Sequence, residues 1–170
     1  MKTTIKHKTN ISNVLIIGSG GSGLRAAIEA KKSGVEVTII GKRTKEDVHT
    51  VLAAGGINAA FGNVDPEDSW KQHFADTMIE GYGLSEPRMV ELMAKEAPDL
   101  VTEIDEWGAN LAKLENGKMD QRFFGAHTHR RTCYSGDYTG RSILMALIKK
   151  AKELEIPIHD SQYVTELLVH

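Results

Sequence analysis

Cysteine is almost absent from this sequence, which contains Cys133 and no other. One thiol cannot form an internal disulfide, and it cannot supply the ligands of an iron–sulfur cluster or of a CxxC zinc site. We therefore expect a protein of a reducing, cytosolic compartment without a disulfide framework. Burial as a small apolar side chain is the usual role of such a cysteine, and we expect it for Cys133.

Neither sign of charge dominates, because 21 Lys and Arg residues face 23 Asp and Glu residues and the net charge is −2. That balance offers no general attraction to nucleic acid or to an anionic membrane surface. Long hydrophobic runs are also lacking, since none approaches the ~20 residues that span a bilayer. The polar start Met1–Lys8 is not a signal peptide. We predict no nucleic-acid partner and no direct membrane insertion, so any membrane association would be made through a partner.

What is present suffices for one domain, because 41% of the 170 residues are hydrophobic and such a chain can bury a core. The apolar run Val14–Ile17 predicts a strand buried on both faces of a parallel sheet. Good helix formers follow over residues 24–30, and Val35–Ile40 predicts a second strand. The fold class is therefore α/β, with a Rossmann-like β–α–β unit after a polar, frayed segment at residues 1–12.

Five further features are predicted beyond this unit. The first is a helix from the N-cap Asp65 and Pro66 to Glu80, which stops at Gly81 and has a core stripe of Trp70, Phe74 and Met78. The second is a helical stretch Glu86–Trp107 that Pro98 divides in two. The others are a turn at Glu115–Lys118, a helix Thr139–Leu154 and a last strand Tyr163–Val169. These strands are too few to cover both faces of a parallel sheet. We therefore interpret residues 13–170 as an incomplete domain, the N-terminal portion of a larger protein.

A glycine-rich turn, Gly18–Gly23, joins the first strand to the first helix with the pattern G-x-G-x-x-G. The first glycine permits the tight turn, the second lets a pyrophosphate approach the backbone, and the third lets helix and strand pack closely. Free N–H groups at the start of the helix then attract phosphate. The second strand ends in Gly41, Lys42 and Arg43, without the acid that usually holds the ribose of NAD. Lys42 and Arg43 would also suit the 2′-phosphate of NADP, so the turn alone leaves the dinucleotide open.

Two further segments resemble parts of a known family. His49–Ala60 follows the second strand closely, and Arg131–Leu144 contains an R-T pair and a D-x-T-G run before a helix. Together with the glycine turn, and in this order, they resemble the flavoprotein subunit of the succinate dehydrogenase/fumarate reductase family over nearly all of residues 12–170. The resemblance implies that the dinucleotide is FAD.

The resemblance also implies where FAD would lie. The glycine turn would bind the pyrophosphate, the end of the second strand would follow the adenosine ribose, and the segment from His49 would pass the flavin ring and pyrophosphate. Three residues of the predicted last strand region would contact adenine. The implied cofactor-binding residues are Gly18, Ser19, Gly20, Gly21, Ser22, Gly23, Gly41, Lys42, Arg43, His49, Thr50, Val51, Leu52, Ala53, Ala54, Gly55, Gly56, Ile57, Gln162, Tyr163 and Val164. Arg122 and Asp137 match polar residues near the flavin.

His49 aligns with the histidine that, in this family, carries the flavin through a bond to the 8α-methyl carbon. Neutral imidazole is a nucleophile, and the bond would raise the reduction potential of the flavin, which suits a poor hydride donor such as succinate. The alternative is a histidine beside the ring without a bond. L-aspartate oxidase, a relative with another residue here, binds FAD noncovalently. The run Lys45–Val48 departs from the family's usual Pro-containing run ending in Arg-Ser. This departure counts against a covalent bond between His49 and the flavin (the tether), and not against FAD binding.

The resemblance implies an FAD-dependent oxidoreductase that interconverts succinate and fumarate by hydride transfer with flavin N5 and passes electrons to an iron–sulfur subunit. The residues that hold the C4 dicarboxylate in that family match no position here, so no catalytic residue is named and this portion alone is expected to be inactive. We expect a cytoplasmic location, with contact to the membrane face made through partner subunits. Three alternatives stay open: an L-aspartate oxidase-like enzyme, an NADP-binding oxidoreductase, and a dinucleotide-binding module without catalysis.

Two other polar clusters admit more than one interpretation. His127, His129 and Cys133 resemble a set of metal ligands, but no fourth ligand is evident and a polar loop is the better interpretation. We therefore predict no metal. Arg130 and Arg131 suit either a bound phosphate or carboxylate, or ion pairing within the protein.

Overall fold

The computed structural model describes residues 11–169, so most of the polar segment predicted at residues 1–12 lies outside the described residues. In chain order the elements are β1 (Val14–Ile17), α1 (Gly21–Lys32), β2 (Val37–Ile40), a 3₁₀ helix (His49–Leu52), β3 (Ile57–Asn58), α2 (Trp70–Glu80), α3 (Pro87–Ile104), a π-helical turn (Asp105–Ala109), β4 (Thr132–Cys133), α4 (Thr139–Glu153) and β5 (Ile158–His159). The α/β class and the β–α–β unit are confirmed.

A three-stranded parallel sheet in the order β1-β2-β5 forms the first half of the fold. β1 pairs with one side of β2, Val14 opposite Val37, and β5 pairs with the other side. α1 packs on β1 and β2, and α4 packs on α1. The apolar core between them consists of Leu24, Ala27, Ile28, Val37, Ile39, Leu144, Leu147, Ile148, Ala151 and Ile156. Since parallel strands end at the same edge, the glycine turn after β1 lies beside the end of β2.

β1 is not buried on both faces as its sequence predicted. Leu15 is 52% exposed and Ile17 is 62% exposed, whereas Val37 and Ile39 of β2 are buried. The reason is the position of β1 in the sheet, because within residues 11–169 it has a partner strand on one side only. An apolar run predicts a strand, but it does not say how many neighbours that strand has.

α2 begins later than predicted. Ser69 is its N-cap, and the Ser69 hydroxyl accepts a hydrogen bond from the Gln72 N–H at 3.3 Å. The predicted start at Asp65 and Pro66 is wrong, because the Asp65 carboxylate pairs with Arg130 instead of capping a helix. The predicted end of the helix at Gly81 is confirmed.

The buried side chains of α2 are polar. His73 and Asp76 are buried, whereas Trp70, Phe74 and Met78, the predicted core stripe, are half-buried. The helix therefore turns a charged and hydrogen-bonding surface toward its neighbours, with consequences for the site described below.

Pro98 does not divide α3, which runs without a break from Pro87 to Ile104. Proline removes one backbone hydrogen bond from a helix and crowds the preceding turn. Burial of one side of the helix compensates, because Ala94, Ala97 and Val101 are buried in the apolar interior and most of this side belongs to a second apolar core. The prediction of two helices is wrong for this reason.

A second, antiparallel sheet joins β3 to β4, with Ile57 opposite Cys133. The predicted turn near residues 115–118 is confirmed, since the Leu114 N–H donates to the Lys118 carbonyl at 2.8 Å. Cys133 is fully buried in the second core, and burial raises the pKa of its thiol to about 12. The expectation of a buried, apolar cysteine is confirmed.

The third strand of the parallel sheet is β5 at residues 158–159, not the predicted strand Tyr163–Val169. After β5 the backbone turns away from β2, and Ser161 has a positive φ of 57°. Residues 163–169 are exposed and form no strand. Their apolar, β-branched composition gives β propensity, but after the turn at Ser161 these residues pair with no strand of the described sheet. Within residues 11–169 no helix is long and apolar enough to cross a membrane.

Candidate cofactor-binding site

The glycine turn has the geometry that its motif predicts. Gly18 has a φ of 120°, a conformation that glycine adopts without strain. A Cβ on Gly23 would overlap the Gly18 carbonyl oxygen, so this glycine allows the close packing of α1 on β1. α1 begins at Gly21 with Gly20 as N-cap, and it has neither a side-chain cap nor an acidic residue in its first turn. The positive end of the helix is thus not neutralised by its own side chains.

The segment from His49 lies directly against this helix start. The Gly21 N–H donates to the Thr50 hydroxyl at 3.0 Å, and the Gly140 N–H at the start of α4 donates to the Ala53 carbonyl at 2.7 Å. A cavity of about 340 Å³ opens between α1, the 3₁₀ helix and the start of α4. Two segments 29 residues apart in the sequence are therefore one site in the fold.

His49 itself is exposed at the start of the 3₁₀ helix. A second cavity, of about 290 Å³, lies at its side, and its lining includes Arg43, Asp47 and Leu52. An exposed imidazole at the rim of a cavity is accessible to a ligand bound there. Val51 is half-buried, whereas Leu52, Ala53 and Ala54 are exposed.

The end of β2 meets the segment after β5. The Gln162 N–H donates to the Gly41 carbonyl at 2.9 Å, and the Lys42 ammonium lies 5.0 Å from the centre of the Tyr163 ring. Gly41 also faces Ser19, because a Cβ on Gly41 would overlap the Ser19 hydroxyl. The fold thus brings together the residues predicted for the adenosine half, although Gln162, Tyr163 and Val164 lie in no strand.

Gly55 and Gly56 lie beneath the segment that leads to β4. The Arg122 guanidinium donates to the Gly55 carbonyl at 2.9 Å, and a Cβ on Gly55 would lie 2.5 Å from the Phe124 ring. Gly56 has a φ of 135°, and a Cβ there would overlap Thr132. Gly56 is therefore required by its backbone conformation and by the close approach of Cys133, whereas the exposed Phe124 ring beside Gly55 could move. Arg122 contacts the predicted flavin segment, whereas Asp137 is exposed in the turn before α4.

The two polar clusters of the sequence prove to be internal contacts. His127 Nε2 lies 2.7 Å from the Asn58 amide nitrogen, and among residues 11–169 no group of three His, Cys, Asp or Glu side chains is arranged to hold a metal. Arg130 pairs with Asp65, and the hydrogen bond from Arg130 lowers the pKa of the Asp65 carboxyl. Of the two interpretations of Arg130 and Arg131, ion pairing is the correct one.

Arg131 belongs to a buried ionic cluster that the sequence did not predict. Its guanidinium is fully buried and donates to both carboxylate oxygens of Asp68, at 3.2 and 2.7 Å. Its Nη1 also lies 2.8 Å from Asp76 Oδ2, an ion-pair contact without the angles of a hydrogen bond. The signal available in the sequence was the spacing of His73 and Asp76, which share one side of a helix.

Hydrogen bonds, burial and nearby charges determine which side chains of this cluster are ionised. Burial would raise the pKa of the Asp76 carboxyl, but hydrogen bonds from Thr128 and Gln72 and the charge of Arg131 outweigh it and lower that pKa. Burial, together with the nearby Arg131 charge, lowers the pKa of His73 to about 4, and the same causes lower the pKa of His127. Both imidazoles are therefore neutral near pH 7.

FAD fits these residues on three observations. The start of α1 offers N–H donors with no acidic residue in its first turn. The Ser19 hydroxyl is buried beside Gly41 with no partner in residues 11–169. Gly20 at the start of the helix carries no side chain, and a Cβ there would have only the Thr50 hydroxyl near it, at 3.4 Å, so a ligand can approach the backbone at this position. A further cavity of about 800 Å³ lies elsewhere, between α2 and α3, and is mainly apolar.

Comparisons with known proteins point to one family. Residues 13–170 match the family model of the FAD binding domain. The chain is 45% identical to a subunit of the fumarate reductase (CoM/CoB) of Methanothermobacter marburgensis, over 92% of this chain and 29% of that protein. It is 35% identical to the succinate dehydrogenase flavoprotein subunit of Rickettsia felis, over 97% of this chain and 28% of that protein. Among solved structures, Mycobacterium smegmatis Sdh1 in complex with UQ1 superposes with a TM-score of 0.87 at 41% identity. The superposition covers 93% of this chain and 28% of the Sdh1 chain. The chain thus spans less than a third of the length of these relatives.

Proposed function

Because the chain belongs to the FAD-binding domain family that includes the succinate dehydrogenase and fumarate reductase flavoprotein subunits, we propose that it forms the FAD-binding part of a flavoprotein that interconverts succinate and fumarate. The observation that carries this proposal is the hydrogen bond from the Gly21 N–H to Thr50. It joins the phosphate-binding turn to the His-Thr segment in one site, as a flavin dinucleotide requires.

The residues of this chain would hold FAD at three places. N–H groups at the start of α1 would bind the diphosphate, Ser19 and the Gly41–Arg43 segment would bind the adenosine half together with Gln162, Tyr163 and Val164, and the backbone at Gly55 and Gly56 would lie along the flavin ring. Bound flavin supplies the chemistry of hydride transfer. The chain orients the cofactor, and the residues that bind the C4 dicarboxylate would lie outside it.

His49 would hold the cofactor permanently by a bond from its imidazole to the 8α-methyl carbon of the flavin. Forming that bond would release one methyl proton and the imidazole N–H proton, with the two electrons passing to the oxidised flavin ring. Its exposed position at the rim of the cavity beside Arg43 and Leu52 supports this role. The bond would withdraw electrons from the ring and raise its reduction potential. The relatives are named as subunits, so electrons would leave through an iron–sulfur partner, and contact with the membrane would be made through partners at the cytoplasmic face.

Acid precipitation of the flavin-loaded protein tests the role of His49. We expect the wild-type pellet to retain fluorescent flavin, because a covalent bond survives unfolding. His49→Ser should still bind FAD in the folded state but release all of it into the supernatant. His129→Ser, a change at another histidine, is the control and should retain flavin in the pellet.

The result separates the proposal from its alternatives. Flavin in the wild-type supernatant would exclude the tether and favour an L-aspartate oxidase-like enzyme with dissociable FAD. A folded protein without flavin absorbance would favour NADP or a module without catalysis. Succinate oxidation with an artificial electron acceptor by a complete flavoprotein that contains this chain would support the proposed substrate, and its absence in that complete protein would contradict it.

A further inference from the structure

The buried cluster around Arg131 is connected to the predicted flavin segment by short, direct contacts. The Arg131 carbonyl accepts a hydrogen bond from the Ala59 N–H at 2.9 Å. The next residue, Thr132, donates its hydroxyl hydrogen to Asn58 Oδ1 at 2.6 Å, and its methyl group lies against Gly56. Residues 131 and 132 therefore contact Asn58 of β3 and its neighbours Gly56 and Ala59.

The other end of the link is fixed on α2 and on the turn before it. Asp68 and Asp76 supply two negative charges to the one positive charge of Arg131, all three side chains being almost completely buried. Removing the cation would leave two carboxylates without compensation away from water, which is costly. The planar guanidinium also bonds Asp68 at two atoms while reaching Asp76, a geometry that an ammonium cannot reproduce.

We propose that Arg131 is a positioning residue for the flavin: by linking α2 to Thr132 and β3, it fixes the backbone of Gly55 and Gly56 where the flavin ring lies. This inference rests on the proposed course of FAD along residues 49–57. Arg131 itself touches no predicted part of the cofactor, so its effect is transmitted through Thr132. Arg130, its neighbour, pairs with Asp65 before α2 and is 43% exposed.

This arrangement provides a matched pair of variants, Arg131→Lys and Arg130→Lys. We expect Arg131→Lys to weaken FAD binding about 10-fold, equivalent to about 1.4 kcal/mol, and to change the visible circular dichroism and the reduction potential of the bound flavin. Arg130→Lys should leave the FAD affinity within about 2-fold and the circular dichroism and potential unshifted, because the Arg130 side chain bonds Asp65 rather than Thr132 or β3 and a lysine can keep the charge opposite Asp65. Measurements on the full chain would use FAD titration in the His49→Ser background, where the cofactor can dissociate, together with flavin spectra and dye-coupled potentiometry. Far-UV circular dichroism is the check on folding.

A second variant keeps the proposal testable if Arg131→Lys does not fold. Thr132→Val preserves the shape against Gly56 but removes the hydrogen bond to Asn58, so it should fold and shift the same flavin signals. A folded Arg131→Lys protein with wild-type FAD affinity, spectrum and potential would overturn the proposal, as would an unchanged Thr132→Val protein beside an unfolded Arg131→Lys. Failure of the wild-type chain to bind FAD would instead refute the proposed cofactor site, and this inference with it.

Discussion

Single glycines in the predicted motif differ in what the fold demands of them. A Cβ on Gly23 would overlap the carbonyl oxygen of Gly18, which is part of the backbone and cannot move by a change of rotamer. A Cβ on Gly21, two residues earlier, would lie 3.5 Å from the Thr50 side chain, at ordinary contact distance. Packing therefore requires a glycine at position 23, whereas it would accept a small side chain at position 21.

Gly23→Ala should lower the free energy of unfolding by about 2 kcal/mol or more, because the helix or the strand has to shift to relieve the overlap. Gly21→Ala is the matched control and should change that free energy by less than about 0.5 kcal/mol. Urea unfolding followed by far-UV circular dichroism compares the two. Equal stabilities would show that the close approach at Gly23 is not needed.

At the scale of elements, α2 connects stability to pH. His73 lies near Asp68, Asp76, His127 and Arg131, and burial and the Arg131 charge lower its pKa to about 4. In the unfolded chain the ordinary value of 6.5 applies, so the unfolded state binds the proton first as the pH falls. The neutral, buried imidazole thus favours the folded state fully above pH 6.5, and this contribution is lost between pH 6.5 and about 4.

The expected consequence is a loss of about 2 kcal/mol from this one histidine between pH 7 and pH 5. His73→Gln removes the titration, so its free energy of unfolding should fall less over the same interval. Denaturant unfolding of both proteins at pH 5, 7 and 8 measures the difference in slope. Parallel profiles for the two proteins would mean that His73 is not held neutral by burial. His127 titrates in the same direction, so some pH dependence should remain in the variant.

α3 shows that an unfavourable residue is tolerated when the rest of an element is buried. Pro98 lies inside the helix, and it cannot donate to the Ala94 carbonyl. Pro87 lies at the first turn, where the missing N–H has no helical partner to lose. We therefore expect Pro98 to destabilise the helix and Pro87 to be compatible with it.

Pro98→Ala should raise the free energy of unfolding by about 1 kcal/mol, because a helix hydrogen bond is restored, although the freer unfolded chain offsets part of the gain. Pro87→Ala, the control, should change it by no more than about 0.5 kcal/mol and in the destabilising direction. Thermal and urea unfolding provide the comparison. A destabilised Pro98→Ala would indicate that the proline ring contributes packing that outweighs the hydrogen bond.

At the scale of the whole molecule, the chain is short compared with its relatives. It covers 29% of the relative from Methanothermobacter marburgensis and 28% of Mycobacterium smegmatis Sdh1. β1 leaves Leu15 and Ile17 exposed at the edge of the parallel sheet. Apolar edges of this kind bind further strands or partners readily.

Residues 1–170 alone, loaded with FAD, should bind the cofactor without oxidising succinate. The reason is the proposal made above that the residues binding the C4 dicarboxylate lie outside this chain. Reduction of an artificial electron acceptor in the presence of succinate measures turnover, and FAD retention after gel filtration measures binding. Succinate-dependent reduction above the rate of free FAD would show that this chain contains a substrate site.

The sequence predicted the elements whose signals are local. The run Val14–Ile17 was sufficient for β1, and the glycine spacing was sufficient for the turn. Prediction from the sequence failed where contacts with other parts of the protein decide the structure. The strand at residues 163–169, the break at Pro98 and the helix start at Asp65 all agree with local propensity, but the fold overrides each of them. The turn at Ser161 leads residues 163–169 away from the sheet, the apolar interior buries one side of α3, and the Asp65 carboxylate pairs with Arg130.

The sequence by itself determined the β–α–β unit, its dinucleotide-binding turn and the order of the segments around it, because spacing and residue type are properties of the chain. The tertiary structure alone decided that Thr50 contacts Gly21 and that Gln162 and Tyr163 lie beside Gly41 and Lys42. It also decided that Arg131 is buried between Asp68 and Asp76. Contacts between residues far apart in the sequence depend on how the elements pack, and a charged residue acquires its partner only when that packing excludes water around it.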